Sequence, residues 1–224
     1  MRTRDLLLAS LRSRLREDAW RWLERAAADA PTCGVDEILT LYTSASQRLG
    51  MEPLGPETGS QPGPSFKGWS LEDAGRAVIL LSRVEQSHDD QDWDAVSACY
   101  EQGDAREQQS WLKAVGVLPA PQRFLPLVID ACRSSIQPIF EAVACENPYP
   151  ARFFPERNFN QLILKALFNG VALSRVVGLS GRLNPELARM ATDYAAERRA
   201  AGRPIPTDIS LAVGESGTVQ EQSR

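Results

Sequence analysis

The chain has 224 residues, of which 43% are hydrophobic and 24% charged, and its formal net charge is −4. This composition is typical of a folded globular protein and excludes the polar, highly charged class of disordered chains. The negative charge also argues against nucleic-acid binding, which normally needs a basic surface. No window approaches the roughly 20 apolar residues of a membrane-spanning helix.

The cysteines and the N-terminus predict a reduced, cytoplasmic protein. The apolar stretch from Leu6 to Leu11 is too short for a secretion signal, and Arg12 follows it directly. The four cysteines form no CxxC pair, and their apolar surroundings suit reduced thiols. They are Cys33, Cys99, Cys132 and Cys145.

Apolar residues recur at spacings of three and four through most of the chain, which predicts α-helices. Ser70 and Asp73 have the spacing of a capping box, Asp104 has the character of an N-cap, and Pro138 is expected to kink its helix. No stretch alternates like a strand. The fold class predicted is therefore all-α, an irregular antiparallel helical bundle or short HEAT-like helical solenoid. The predicted helices cover 5–30, 36–49, 70–82, 93–103, 104–115, 125–145, 159–167 and 186–201.

The predicted organisation is one domain over residues 1–206. Its segment 50–69 is rich in proline and glycine and is predicted to be a flexible loop. Residues 207–224 lose helical periodicity and are predicted to form a disordered tail.

The chain has one histidine, His88, so a multi-histidine metal site is excluded. His88 lies beside Asp89, Asp90 and Asp92, a pattern typical of a solvated helix start with acids at its positive end. A hydrated metal or a proton relay is the alternative interpretation. We predict no metal and no cofactor.

Polar residues at helical spacing in the C-terminal half are the candidates for chemistry. On one interpretation they are solvated surfaces with ordinary ion pairs, such as Arg189 with Asp193. On the other, Asp130, Arg133, Asn160, Lys165 and Arg189 converge on a pocket between helices. The catalytic candidates are Asp130, Arg133, Glu141, Lys165 and Asp193.

Three sequence blocks, together with Leu71–Arg76 (LEDAGR), resemble the signature blocks of the EboA family. The blocks are 147–151 (NPYPA), 159–170 (FNQLILKALFNG) and 184–203 (NPELARMATDYAAERRAAGR). The resemblance covers roughly residues 70 to 206, and ordered blocks of this length are far more specific than a short motif.

The resemblance implies a component of a bacterial gene cluster that makes or moves secondary metabolites toward the periplasm. Such clusters also encode a UbiA-type prenyltransferase, a TatD-like hydrolase and proteins that handle sugar phosphates. No catalytic residues carry over from the family. From the blocks we nominate as ligand-binding Asn147, Tyr149, Asn160, Gln161, Lys165 and Arg189.

The first functional hypothesis is a cytoplasmic accessory protein that binds a pathway metabolite or a partner protein, such as the UbiA-type prenyltransferase. The alternative is an enzyme without histidine that acts on a prenyl diphosphate or sugar-derived intermediate, using carboxylates with Lys or Arg. A third hypothesis is a scaffold that recognises helices through an exposed apolar groove.

Overall fold

The computed structural model describes residues 2–55, 65–85 and 89–214. Within these ranges the backbone forms twelve α-helices, four short 3-10 helices and no β-strand, which confirms the all-α prediction. None of the helices in these ranges is both long and apolar enough to cross a membrane. The helices are α1 Thr3–Arg12, α2 Glu17–Asp29, α3 Val35–Leu49, α4 Leu71–Val84, α5 Asp90–Glu101, α6 Ala105–Ala114, α7 Leu125–Ala131, α8 Gln137–Ala144, α9 Tyr149–Phe153, α10 Glu156–Asn169, α11 Pro185–Ala200 and α12 Ser210–Val213.

Contacts divide the chain into two compact units, Met1–Val128 and Ile129–Arg224. A division by contacts does not by itself define separate folding domains. The single domain predicted over residues 1–206 therefore stays a prediction, as does its arrangement as a bundle or a solenoid.

Helix α4 is the core of the N-terminal unit. It contacts α1, α2, α3, α5 and α6, and all 14 of its residues are buried. A capping box between Ser70 and Asp73 starts the helix, as predicted. Because α4 is covered on every side, its four charged residues must find partners inside the protein.

The prediction of one long first helix over 5–30 is wrong, because the helical conformation is interrupted between α1 and α2. Leu7 and Leu23 are both fully buried, and both helices contact α4. In one straight helix these two side chains, 16 residues apart at about 100° per residue, would lie about 160° apart around the axis. The break at residues 13–16 lets both helices turn their apolar faces to α4.

A second correction concerns Pro138, which was predicted to kink one helix over 125–145. The structure has two helices there, α7 and α8, and Pro138 lies in the first turn of α8. A proline in the first turn costs no helical hydrogen bond, because a backbone N–H at that position would have no partner within the helix. The proline therefore starts a helix.

The two described ends of segment 50–69 pack against each other beside the start of α4. The Leu54 N–H donates to the Trp69 carbonyl at 2.8 Å, and the Leu71 N–H donates to the Glu52 carbonyl at 2.9 Å. Leu54 and Trp69 are buried. The rest of the predicted loop, residues 56–64, lies outside the described residues.

The C-terminal unit is built on α10, which contacts α8 and α11. The tail predicted from residue 207 differs from the structure over 207–214, where α12 packs against α11. Asp208 accepts a hydrogen bond from the Leu173 N–H at 2.6 Å, and Ala212 is fully buried. These two contacts hold residues 207–214 against the unit. Residues 215–224 lie outside the described residues.

Candidate functional site

Several residues predicted to form a site lie in exposed ion pairs. Asp130 and Arg133 pair at 3.4 Å, with side chains 77% and 73% exposed. Arg189 and Asp193 pair at 2.7 Å on α11, each 60% exposed. Gln161 is exposed on α10. These positions match the interpretation of solvated helix surfaces with ordinary ion pairs.

Glu141 takes part in a half-buried ion triplet. Arg175 donates to Glu141 at 2.7 Å and to Glu146 at 3.0 Å, and Gln137 donates to Glu141 at 2.8 Å. The hydrogen bond from Gln137 and those from Arg175 lower the pKa of Glu141. The carboxylate is ionised and tied to its neighbours, so its evident role is to join α8 to the 3-10 helix Leu173–Arg175.

Three of the nominated ligand-binding residues are buried and bonded within the chain. The Asn147 amide donates to the Ala142 carbonyl and accepts from the Tyr149 N–H, both at 2.9 Å. Asn160 and Asn184 exchange two amide hydrogen bonds of 3.1 and 3.0 Å. Buried amides need such partners. These side chains shape the turn after α8 and the start of α11.

Lys165 is bonded to the backbone near the end of α7. Its Nζ donates to the carbonyls of Cys132 and Ser134 at 2.6 and 2.8 Å, and it lies 5.0 Å from the ring centre of Phe140. A cation near the last carbonyls of a helix is favourable because those groups lack helical partners.

We expect Lys165→Met to lower the free energy of unfolding by about 1 to 3 kcal/mol, the range for hydrogen bonds to charged groups. Urea unfolding measures this. Lys67→Met is the matched control, since the Lys67 side chain has no partner among the described residues, and it should change stability little. Unchanged stability of Lys165→Met would contradict the structural role.

The predicted convergence of Asp130, Arg133, Asn160, Lys165 and Arg189 on one pocket gains no support from the contacts of these side chains and stays a prediction. Asn160 is buried against Asn184, Lys165 is bonded to backbone carbonyls, and the other three are exposed. Three cavities within the described ranges are lined by other residues. A direct contact with ligand for any one of the nominated residues stays a prediction.

The acidic residues that follow His88 form an N-cap and ion pairs at the start of α5. Asp89 accepts from the Gln91 N–H as the N-cap, and Asp92 pairs with the buried Arg83 at 2.7 Å. Asp90 pairs with Arg123. Within the described ranges no three metal-binding side chains lie close enough together to hold an ion. His88 itself lies outside these ranges.

The strongest concentration of buried charge lies in the N-terminal unit, at Arg76 of α4. Its side chain is 2% exposed. The guanidinium donates to Glu72 at 3.1 Å, to the Ser110 hydroxyl at 2.9 Å and to the Tyr42 carbonyl at 3.1 Å. The Tyr42 hydroxyl in turn donates to the Glu107 carbonyl at 2.9 Å. Arg76 therefore joins α3, α4 and α6.

Two carboxylates of α4 link this buried charge to cations nearer the surface. Glu72 also pairs with Arg106 of α6. Asp73 accepts from Lys113 and from the Ser110 hydroxyl, both at 2.6 Å. Both carboxylate side chains are only 5% exposed, whereas those of Arg106 and Lys113 are 49% and 27% exposed. The two carboxylates thus lie deeper in the protein than Arg106 and Lys113.

Arg106 and Lys113 face a cavity of about 690 Å³ between the start of α4, helix α6 and the described ends of segment 50–69. We call it the α4–α6 cavity. Its wall contains three cationic side chains, two acids, and apolar surface. Representative residues are Met51, Lys67, Trp69, Glu72, Gln109 and Lys113.

The pKa of Asp73 is set by two opposed effects. Burial raises it, but the Lys113 charge and the hydrogen bonds from Lys113, Ser110 and the Ser70 N–H outweigh burial, so the pKa lies below its ordinary value. Asp73 is consequently a carboxylate throughout the neutral range. It can hold a cation in place.

We expect Asp73→Asn to be most destabilising near neutral pH and less so in acid. Because the folded-state pKa is below the unfolded value of about 3.9, ionised Asp73 adds stability above that pH, and this is lost as pH falls through the lower folded-state pKa. Chemical unfolding of both proteins from about pH 7 down to about pH 3 measures the gap. A gap that stays constant over that range would argue against an ionised, paired Asp73.

The sequence contained one signal for this cavity. Five consecutive apolar residues, 77–81, cover every side of a helix, so α4 had to be buried all round. Charged residues at 72, 73 and 76 then required buried partners. Apart from the pair of Glu72 with Arg76, four residues apart, those partners are 34 to 40 residues away, and nothing in the sequence singles out Ser110 or Lys113 as one of them.

Two further cavities have no buried charged side chain in their walls. One of about 810 Å³ in the C-terminal unit is lined mainly by leucine, valine and serine, including Leu179, Leu183 and Leu211. The other, about 670 Å³, lies around Trp22 and Arg48 and is lined largely by charged side chains.

The comparisons with known proteins agree with the signature blocks. The sequence matches a family described as "Metabolite traffic protein EboA" over residues 3–214. This match extends well beyond residues 70–206 in both directions. No curated protein and no solved structure matches the chain. Because the family match takes in most of the chain, the protein belongs to the EboA family of metabolite traffic proteins.

Proposed function

We propose that this protein binds a small pathway metabolite in the α4–α6 cavity and acts as a non-catalytic accessory protein. The observation that carries the proposal is the position of two buried carboxylates, Glu72 and Asp73, directly behind two half-buried cations of the cavity wall. The family description, metabolite traffic, supports a role that involves a metabolite.

Energetics support a binding role for these charges. A buried ion network is often no more stabilising than apolar residues of the same volume, because desolvation offsets the attraction between charges. Stability alone is therefore a poor reason to keep Glu72, Asp73 and Arg76 inside a helix that is buried on every side. A binding role explains these charges better: the buried carboxylates hold the donors of the cavity wall in place. Donors that are fixed before binding lose less entropy when the ligand binds.

The same geometry favours binding over catalysis. A general acid or base works best with a pKa near the operating pH, whereas the pKa of Asp73 is lowered. Three of the five catalytic candidates, Asp130, Arg133 and Asp193, lie in exposed pairs, which also favours binding over catalysis. An enzyme acting on a prenyl diphosphate or sugar-derived intermediate stays the alternative prediction.

The proposal also concerns the pathway in which the protein acts and its location in the cell. We propose a bacterial secondary-metabolite pathway and a cytoplasmic location, on the strength of the signature blocks and the reduced cysteines. The family description names no protein partner. The UbiA-type prenyltransferase thus stays a prediction.

Native mass spectrometry of the full chain, purified after incubation with an extract of cells that express the pathway, tests the proposal. Gln109 lies on α6 in the cavity wall and, among the described residues, bonds only within its own helix, to the Ala105 carbonyl. Gln109→Trp should obstruct part of the cavity without disturbing the fold. The matched control is Gln161→Trp, at an exposed position of α10 that was nominated as ligand-binding.

We expect a small-molecule adduct on the wild type and on Gln161→Trp, and its loss from Gln109→Trp. An adduct that survives Gln109→Trp overturns the assignment of the cavity, and loss from Gln161→Trp alone returns the site to the C-terminal unit. No adduct on any of the three proteins also counts against a retained metabolite.

A further inference from the structure

The wall of the α4–α6 cavity carries an excess of positive charge on a chain whose net charge is negative. Lys67, Arg106 and Lys113 line it against Glu72 and Asp73, while the whole chain carries −4. Arg14 adds a further cation at the edge, because its guanidinium lies directly beside Gly55, a residue of the wall. The cavity wall is therefore positively charged, whereas the molecule as a whole is negatively charged.

Hydrogen-bond valence shows which groups remain available to a ligand. Lys113 has three N–H donors and uses two, to Asp73 at 2.6 Å and to the Gly68 carbonyl at 3.3 Å. Arg106 has five and, among the described residues, uses one on Glu72. Within the described ranges the acids are thus fully paired, whereas both cations keep donors without a partner.

Lys67 contributes the most accessible donors. Its side chain is exposed and has no partner among the described residues. The chain has only three lysines, Lys67, Lys113 and Lys165, and two of them line this one cavity. The third is bonded to backbone carbonyls in the C-terminal unit.

The wall of the cavity also contains apolar residues. Trp69 is 6% exposed and Met51 is 58% exposed, and Pro53 lies between them in the chain. A ligand in the cavity would meet both hydrogen-bond donors and apolar surface.

We infer that the ligand of the α4–α6 cavity is a small molecule with an anionic head, a phosphate or carboxylate group, on an apolar body. The head is bound by Lys67, Arg106 and Lys113, and the body lies against Met51 and Trp69. Arg106 and Lys113 are held toward the head by the buried Glu72 and Asp73. This inference rests on the function proposed above and adds the chemical class of the metabolite.

Selective ¹³C labelling of the lysine ε-carbons tests the inference on the intact chain. Three lysines give three side-chain NMR signals, and Lys165 serves as an internal control. Phenyl phosphate and benzoate are the probes, sodium chloride at equal ionic strength is the salt control, and phenol is the neutral control. The two anions distinguish a phosphate head from a carboxylate head.

We expect saturable shifts of Lys67 and Lys113 with at least one anion, no shift of Lys165, and no comparable shift with sodium chloride or phenol. Lys67→Gln should weaken anion binding about 2- to 5-fold, the range for one exposed charge pair. Arg133→Gln, which removes an exposed cation of α7's C-terminal flank, should leave it unchanged. Equal, non-saturating shifts of all three lysines, or none at all, overturn the inference.

The two proposals fail in different ways. If the protein retains a metabolite that Gln109→Trp releases, but no anion shifts Lys67 or Lys113, the cavity binds a ligand of another class and only this inference fails. If anions shift both lysines but no metabolite is retained, the anion site stands and the proposed function fails.

Discussion

Arg76→Met should lower the free energy of unfolding by about 3 to 5 kcal/mol, the cost of removing one partner from a buried ion pair. The methionine roughly fills the same space but leaves Glu72, 5% exposed, without its closest buried cation. It also removes the hydrogen bonds that Arg76 donates to the Ser110 hydroxyl and the Tyr42 carbonyl. Equilibrium urea unfolding, followed by far-UV circular dichroism, measures the change.

Arg21→Met is a closely matched control. Arg21 pairs with Glu17 four residues earlier in its helix, the same spacing as Arg76 and Glu72, but the Glu17 and Arg21 side chains are 55% and 71% exposed. Exposed helical pairs contribute about 0.5 kcal/mol or less. Equal effects of the two substitutions would contradict a buried network at Arg76.

Trp111→Ala should lower the free energy of unfolding by about 3 to 5 kcal/mol, as expected for truncating a fully buried large aromatic side chain. Trp111 of α6 is 0% exposed and packs edge-on against Phe124, with ring centres 5.1 Å apart. Its indole N–H donates to the Val96 carbonyl at 2.8 Å. The substitution removes the packing and leaves that carbonyl without its indole donor.

The control for Trp111 is Phe168→Ala, which truncates an aromatic side chain that is 74% exposed near the end of α10. Its effect should stay within about 0.5 kcal/mol. Because α6 carries Arg106 and Lys113, Trp111→Ala should also weaken anion binding in the cavity. Normal stability of Trp111→Ala would mean that α6 is not anchored by this side chain.

Local signals predicted the helices well. Ser70 with Asp73, and Asp104 with Glu107, both form capping boxes, and the residues that do so are three apart in sequence. Such contacts depend only on neighbouring residues, so a sequence pattern can reveal them. The breaks at residues 13–16 and before Pro138 depend on which faces meet α4 or α10, and local periodicity does not contain that information.

The residues nominated from the sequence differ from those that line the α4–α6 cavity for a related reason. Asn160 and Lys165 lie in the sequence block 159–170, but both side chains bond within the chain. Asn160 bonds to the amide of Asn184, and Lys165 donates to a backbone carbonyl near the end of α7. Glu72 and Asp73 looked like the acids that commonly start a helix. Their partners in α6, Arg106 and Lys113, are 34 and 40 residues further along. Pairs that distant are set by packing and cannot be inferred from spacing.

A crystal structure of the protein purified with its retained small molecule tests the central claim most directly. The account predicts ligand density in the α4–α6 cavity, with an anionic group within hydrogen-bonding distance of Lys113 and Arg106 and an apolar part against Trp69. Density in the leucine-lined cavity of the C-terminal unit, with the α4–α6 cavity filled only by water, would contradict it.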